Sequence, residues 1–392
     1  MIRSRLIFCH KASWRRMGVV GLALALAISG LVSLVAPALP ASAATNQVVT
    51  AVKVGSGPAG VAFNPVNGNL YVTNFFGSPV PGFVSKGSVS VINGSTNQVV
   101  ATVEVGYNPV GVAFNSTNGY VYVANSFDNT VSVINGSTNA VVATVPVGVE
   151  PYGVAVNSVN GYIYVTNRKD ATLSVINGST NQVVTTVGMG VSFEPGITFG
   201  SLPTAAAFNP TNGYLYVALT GENRVKVIDG SNYGQIAAVG VGLNPSALTY
   251  NPINGNIYVA NGRDASVSVI DGSTNQVIDT VPLGVGPGRD ESVVHKGGIA
   301  YNPANGNVYV ANRFSNNVSV INGSNNQVID TVTVGNTPNA LAFDLADGDV
   351  YVANFGLMGE HDNDTVSVIL NTSQAAIFTS CLLYTSPSPR DS

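Results

Sequence analysis

Short apolar runs alternate with clusters of Gly, Asn, Pro and Ser from about residue 46 to residue 370. A typical unit has apolar runs at 111–114, 120–123, 130–134 and 139–145. Runs rich in Val, Ile, Tyr and Phe that are bounded by turn residues predict β-strands. Apolar residues occupy both faces of most runs, which favours sheets packed on both sides. Each unit therefore predicts four strands, labelled A to D from the innermost to the outermost.

The unit is repeated along the chain. A variant of Tyr-Val-Ala/Thr-Asn occurs seven times, at intervals of 51, 42, 52, 42, 51 and 42 residues. A period near 40 with several strands per unit is the signature of a β-propeller blade. Asn-Gly or Asp-Gly pairs in the A–B and C–D connections, such as Asn118-Gly119 and Asn135-Gly136, predict tight turns with positive φ.

A count of the strands predicts how the ring closes. The repeats contain seven A, seven B and seven C strands but six D strands, and the stretch 46–52 matches 97–103 with no unit before it. We therefore predict an all-β, seven-bladed β-propeller with four antiparallel strands per blade, closed by this N-terminal outer strand in blade 7. An open or eight-bladed array is the alternative.

The Tyr-Val-Thr-Asn motif is intact at 71–74 and 164–167, with Asn-Pro-x-Asn-Gly upstream and Val-x-Val-Ile-Asn/Asp-Gly downstream. This combination resembles the YVTN β-propeller repeat family over about residues 46–370. The resemblance implies a secreted or cell-surface protein, like surface-layer proteins, that serves as a binding or scaffold module. The fourth unit departs from the pattern, because Leu219 replaces the asparagine.

The two ends of the chain differ from the repeats. Five basic residues precede an apolar stretch at 17–35, and Ala41-Ser42-Ala43 provides a cleavage site. We interpret 1–43 as a signal peptide, with an uncleaved membrane anchor as the alternative. We assign 44–370 to the propeller and 371–380 to the end of a truncated native sequence. Residues 381–392 resemble a translated sequencing adaptor. The predicted location is secreted, periplasmic or cell-surface.

Composition narrows the chemistry of the mature chain. The leader and the last twelve residues contain both cysteines and the one tryptophan, so disulfides, thiolate metal sites and a cysteine nucleophile are excluded. The leader also carries five of the 16 basic residues and no acid, which leaves a net charge of about −9. That charge argues against nucleic acid as a partner.

Strand direction alternates, so the A–B and C–D connections share one face of the disc, the turn face. The B–C and D–A connections share the other, the loop face. All four long insertions, at 75–87, 189–204, 285–297 and 355–364, fall on the loop face. Functional loops on a rigid scaffold usually explain such an asymmetry. The predicted binding residues on this face are Arg168, Lys169, Asp170, Glu222, Arg224, Arg263, Asp264, Arg289, Asp290, Glu291, His295 and Arg313.

One acidic cluster suggests a metal. Glu360, His361, Asp362 and Asp364 offer oxygen ligands and one imidazole, which suit Ca²⁺ or another divalent cation, although the spacing matches no known loop motif. Solvated surface charge is the other interpretation, and no other cofactor is expected. The predicted function is an exported module that binds protein or glycan at the cell envelope, in contact with the membrane only if the leader is uncleaved. A hydrolase or lactonase with a metal and carboxylates at the channel mouth is the alternative.

Overall fold

Seven antiparallel sheets of four strands each surround a central channel, which confirms the predicted seven-bladed β-propeller. The computed structural model describes residues 46–77, 86–191, 200–283, 297–356 and 364–370. One short 3₁₀ helix, Thr220–Glu222, interrupts the B–C loop of blade 4. Within these ranges there is no helix long and apolar enough to cross a membrane.

The strands follow the predicted A to D order in every blade. Blades 1 to 3 contain β2 (Pro58–Asn64), β3 (Asn69–Asn74), β4 (Ser88–Asn93), β5 (Gln98–Glu104), β6 (Pro109–Asn115), β7 (Tyr120–Asn125), β8 (Thr130–Asn135), β9 (Ala140–Pro146), β10 (Pro151–Val156), β11 (Tyr162–Asn167), β12 (Thr172–Asn177) and β13 (Gln182–Gly188). Blades 4 and 5 contain β14 (Pro203–Asn209), β15 (Tyr214–Leu219), β16 (Arg224–Asp229), β17 (Gln235–Gly240), β18 (Pro245–Tyr250), β19 (Asn256–Asn261), β20 (Ser266–Asp271) and β21 (Gln276–Pro282). Blades 6 and 7 contain β22 (Ile299–Asn302), β23 (Asn307–Asn312), β24 (Asn317–Asn322), β25 (Val328–Thr333), β26 (Pro338–Phe343), β27 (Val350–Asn354), β28 (Thr365–Leu370) and β1 (Gln47–Lys53).

The ring closes as the strand count predicts. β1 pairs antiparallel with β28 as the outer strand of blade 7, with Lys53 opposite Thr365 and Val52 opposite Val366. Val52 is buried in the core between blades 7 and 1. The first and the last described strands therefore share one sheet, and blade 7 has four strands like the other six blades.

Seven repeated tyrosines hold neighbouring blades together. Each lies in a B strand, is at most 1% exposed and packs between blades: Tyr71, Tyr122, Tyr164, Tyr216, Tyr258, Tyr309 and Tyr351. Their hydroxyls donate to the C–D turn of the next blade, as Tyr122 does to Asn181 Oδ1 at 2.8 Å. In blade 6 the acceptor is Oδ1 of Asn46, 3.0 Å from the Tyr309 hydroxyl. The residue that precedes β1 thus replaces the missing turn, and the seven tyrosines have a structural role between the blades.

The asparagine of the motif is also structural. Asn125 Nδ2 donates to Thr130 Oγ1 and Ser132 Oγ of the adjacent C strand, at 3.1 and 2.9 Å. In blade 4, Leu219 takes its place and packs in the core beside Met189, while Arg224 and Lys226 replace the two hydroxyl residues. The polar contact and its partners are therefore lost together.

The two sets of turns differ, which corrects part of the turn prediction. In the A–B turns the glycine has positive φ, for example 75° at Gly119, as expected. In the C–D turns the positive φ falls instead on a residue further along, for example Asn139 at 55°. The C–D glycines are needed for space, because a Cβ added at Gly178 would lie 2.3 Å from the backbone oxygen of Gly161 in the same blade. Close backbone approach, not φ, selects glycine there.

Gly178→Ala is expected to lower the free energy of unfolding by about 1–3 kcal/mol, because backbone atoms must move to admit the methyl group. Gly188→Ala is the matched control, since a Cβ at Gly188 meets no atom within 4 Å. Urea titration followed by circular dichroism measures both changes. Equal stability of the two variants would contradict the steric explanation.

Candidate functional site

The central channel is narrow and uncharged. It forms a cavity of about 200 Å³ lined by three residues from each of the seven A strands. Gly or Ala occupies the position of closest approach, as at Gly60, where an added Cβ would lie 2.3 Å from the oxygen of Val110. The lining contains no His, Cys, Met, Asp or Glu. Among the described residues, the channel wall therefore offers no imidazole, thiolate, thioether or carboxylate, and Tyr152 provides its one phenol.

The chemistry lies at the channel mouth on the loop face. The residue after each B strand lies beside the start of the A strand, because its amide donates to the D–A loop, as Arg168 N does to Glu150 O at 2.9 Å. From blade 1 to blade 7 this position holds Phe75, Ser126, Arg168, Thr220, Gly262, Arg313 and Phe355. Two arginines and two phenylalanines thus stand at equivalent positions around the mouth.

An open cleft of about 500 Å³ lies between blades 1, 2 and 3 on this face. Its walls combine aromatic and cationic side chains with small polar groups. The side chains that determine its chemistry are Phe75, Phe127, Glu150, Tyr152, Arg168 and Lys169. Phe127 is 71% exposed and packs edge-on against Tyr107, so a large aromatic surface is presented to solvent.

Arg168 is the central group of the cleft. Its Nη1 donates to Glu150 Oε1 at 2.7 Å, and its guanidinium carbon lies 5.9 Å from the centroid of the Tyr152 ring. The side chain is 20% exposed, and its Nε has no hydrogen-bond partner among the described residues. The Nε is buried, so only the exposed part of the guanidinium can meet a ligand, and a guanidinium is a strong donor for a carboxylate. With Lys169 exposed beside it, the cleft carries more positive than negative charge.

Glu150 is placed by the turn before Pro151. It has φ of 57°, a conformation that favours Gly or Asn, and Gly57, Asn108 and Asn244 occupy the equivalent position in other blades. Leu202 and Thr337 show that the turn accepts other residues. The turn does not require a carboxylate, so the distinctive contribution of Glu150 is to orient Arg168.

The second arginine of the mouth lies over a separate aromatic group. The guanidinium carbon of Arg313 is 5.0 Å from the centroid of Phe355, which packs with Phe75 and Phe76 at 5.8 and 5.7 Å. Its Nη1 donates to Asn339 Oδ1 at 2.9 Å. Burial lowers the pKa of the Arg313 guanidinium. Phe75 belongs to both aromatic groups and connects them across blade 1.

Other predicted binding residues brace loops. Asp170 Oδ2 accepts the amide of Val149 at 3.0 Å, and Asp264 Oδ2 accepts that of Leu243 at 2.9 Å. Glu222 accepts the Ser201 hydroxyl. Arg224 is exposed and Arg263 half-buried, both in blades away from the cleft. Of the predicted set, Arg168 and Lys169 are the residues that the cleft brings together.

The remaining candidates lie outside the described residues. These are Arg289, Asp290, Glu291 and His295 of the predicted binding face, and Glu360, His361 and Asp362 of the predicted metal cluster. Asp364 is described and is 4% exposed; its Oδ1 accepts the amide of Gly57 at 3.1 Å. Among the described residues no group of three or more His, Cys, Asp or Glu side chains is placed to hold a metal.

Four important residues of the cleft were not predicted: Phe75, Phe127, Glu150 and Tyr152. Charge guided the choice of candidates, so the aromatic residues were passed over. The signal was present for Tyr152, because the other A strands have Ala, Val, Thr, Ser, Gly or Asn at its position. A bulky aromatic residue at a position where the repeat uses smaller ones marks a place where the ring is modified.

Comparison with known proteins finds one partial family match and one similar fold. The family model of the cytochrome D1 heme domain matches residues 83–194. This stretch contains five of the six cleft residues named above, all but Phe75. A solved structure of Kuenenia stuttgartiensis hydrazine synthase has the same fold, with a TM-score of 0.63 and 18% identity over 82% of this chain and 97% of that one. No curated protein matches the chain at a significant level. The YVTN resemblance is not recovered and stays a prediction.

The match corrects the cofactor prediction, which was no cofactor or at most a divalent cation. The family matched is that of a heme domain, so heme is the group to test against the structure. Protein ligands to heme iron are His, Cys, Met or Tyr side chains. His and Cys do not occur in the described ranges, and Met189 is enclosed in the core at 1% exposure. The cleft offers cationic and aromatic side chains to a heme, and Tyr152 is the one residue of a ligand type among those that line it.

Proposed function

We propose that this propeller is an exported binding module whose ligand occupies the cleft between blades 1, 2 and 3. The ligand class is a planar aromatic anion, and heme is the member that the family match names. The observation that carries the proposal is Arg168, a guanidinium at the cleft wall that Glu150 and Tyr152 hold in place. Export is supported by the leader pattern of the sequence.

The roles of the cleft residues follow from their chemistry. Arg168 and Lys169 would hold carboxylates such as heme propionates, because both are cations at the cleft wall. Phe75 and Phe127 would pack on the ring plane, and Glu150 would keep Arg168 in position. Bound heme would supply a redox-active iron. Among the described cleft residues only Tyr152 is of a type that ligates heme iron, and its ring lies beneath Arg168, so the proposal is binding rather than redox catalysis.

Two other functions remain from the sequence. A protein or glycan partner at the envelope stays a prediction, and the exposed Phe127 would serve either. The hydrolase alternative needs a metal and carboxylates at the channel mouth, and it stays a prediction because Glu360, His361 and Asp362 lie outside the described residues. The binding proposal is therefore the one that the described geometry supports.

Titration with heme and with metal-free protoporphyrin tests the proposal. Both should bind with similar affinity, because the cleft recognises the periphery of the ring. Arg168→Gln should weaken both by roughly tenfold or more, since it removes a charged hydrogen-bond donor. Arg224→Gln, an exposed arginine on the same face outside the cleft, is the matched control.

Porphyrin absorbance and fluorescence quenching measure the two affinities. Failure of both porphyrins to bind would refute the proposal. Binding of heme alone would indicate an iron ligand elsewhere and would remove the cleft as the site. An Arg224→Gln effect as large as that of Arg168→Gln would show a general charge effect instead of a specific contact.

A further inference from the structure

The turn face carries the three most exposed aliphatic side chains of the described residues, Val66, Val159 and Ile253, at 75%, 71% and 81%. They stand at one position, the middle of the A–B turn, in blades 1, 3 and 5. Blades 2, 4, 6 and 7 have Thr117, Thr211, Ala304 and Ala346 at this position, and in blade 7 the residue before it, Leu345, is 52% exposed. Large aliphatic side chains therefore project from the A–B turns of four blades.

The fold does not require these aliphatic residues. Thr211 accepts the position and exchanges a hydrogen bond with the Tyr250 hydroxyl of the next blade at 2.7 Å. Tyr301 is the equivalent of Tyr250 in blade 6, and the residue equivalent to Thr211 is Ile253. The Tyr301 hydroxyl is buried with no hydrogen-bond partner among the described residues. A threonine would suit that hydroxyl better, so Ile253 is present despite a local cost.

An apolar funnel opens at the centre of this face. It has a volume of about 480 Å³, and every residue that lines it is apolar or aromatic apart from Thr249. The aromatic residues are Phe114, Phe208, Tyr250, Tyr301 and Phe343. Aliphatic turn tips around an apolar depression make this face much less polar than the loop face.

Charge and chain direction indicate what covers the face. Its described charged residues are acids, at Asp229, Asp271, Asp344, Asp347 and Asp349, with no Lys or Arg among them. An anionic surface would be repelled. β1 begins and β28 ends at this face, so the chain enters and leaves the propeller there. The apolar stretch 17–35 precedes Asn46 by ten residues in the sequence.

We propose that the turn face docks on a neutral lipid surface, with the side chains of Val66, Val159, Ile253 and Leu345 inserted between headgroups. Separate aliphatic tips spread over a ring suit shallow insertion into a membrane interface, which gains with each apolar group buried. A protein interface would favour arginine anchors beside the aromatic ones, and the described turn face has no arginine. The loop face, with its cleft, then points away from the lipid.

Vesicle sedimentation of the chain from Ala44 onward tests the proposal. Phosphatidylcholine vesicles should bind the protein, and added phosphatidylglycerol should weaken binding. Combined Val66→Ser, Val159→Ser, Ile253→Ser and Leu345→Ser should reduce partitioning by roughly tenfold or more. The matched control replaces four exposed aliphatic residues of the outer strands, Val100, Val184, Ile278 and Ile329, by serine.

Three results would overturn the proposal. Absence of binding to phosphatidylcholine would do so, as would an equal loss in the control. Self-association in light scattering that only the turn-face variant abolishes would assign the face to a second copy of the chain. Porphyrin titration of the turn-face variant, which should be unchanged, separates this result from the cleft proposal.

Discussion

Removal of residues 46–53 is expected to destabilise the whole ring, with a loss of about 5 kcal/mol or more in the free energy of unfolding. The deletion removes the β1–β28 ladder, the buried Val52 and the acceptor of the Tyr309 hydroxyl. Burial of Val52 alone contributes about 1.5–3 kcal/mol. The deletion also leaves β28 as an unpaired edge strand, which is a known cause of aggregation. Since whole proteins are stable by about 5–15 kcal/mol, this is a large fraction.

Point variants separate closure from simple truncation. Val52 and Val103 are each 7% exposed at equivalent positions of the D strands in blades 7 and 1. In a closed ring, Val52→Ala and Val103→Ala should cost about the same, roughly 2 kcal/mol. Val49 of β1 is 52% exposed, so Val49→Ser should change the free energy of unfolding very little. Thermal unfolding measures these changes. If Val103→Ala lowers the stability and Val52→Ala does not, β1 contributes little to the stability of the ring.

The architecture could be predicted from the sequence because the repeat encodes it redundantly. Every blade carries its own strands, turns and tyrosine, so an error in one unit is corrected by the other six. The match of 46–52 to 97–103 predicted closure for the same reason. Asn46 even occupies the hydrogen-bonding position that Asn97 and Asn181 hold in the C–D turns of other blades.

The cleft could not be predicted in the same way, because it is built from departures from the repeat. Glu150 is a loop residue and Tyr152 a strand residue, and neither shows a link to Arg168 until the fold brings the three together. Charge alone also selected Asp170 and Asp264, whose carboxylates accept backbone amides. A repeat places carboxylates for turn geometry as readily as for ligands, and the two uses look identical in sequence.

Raising the pH to about 11 is expected to unfold the propeller, because its buried tyrosines cannot ionise in place. Burial raises the pKa of six repeated tyrosines, Tyr71, Tyr122, Tyr164, Tyr216, Tyr309 and Tyr351. In the unfolded chain each titrates near pH 10. Between these values the unfolded state holds fewer protons than the native state, so stability is full below about pH 10 and falls as pH rises through the native pKa values.

Six tyrosines act together in this effect. One pH unit above the unfolded pKa, each tyrosine that stays protonated in the native state removes at most about 1.4 kcal/mol, so six remove at most about 8 kcal/mol. Circular dichroism and tyrosinate absorbance should therefore change together in one cooperative step near pH 11. Tyr351→Phe, which loses its bond to Asn97 Oδ1 at 2.8 Å, should cost about 1 kcal/mol at neutral pH but lower the proton count of the alkaline step by about one. Gradual tyrosinate formation with an unchanged circular dichroism spectrum would mean that these tyrosines ionise within the folded ring, and the interblade packing described above would then be wrong.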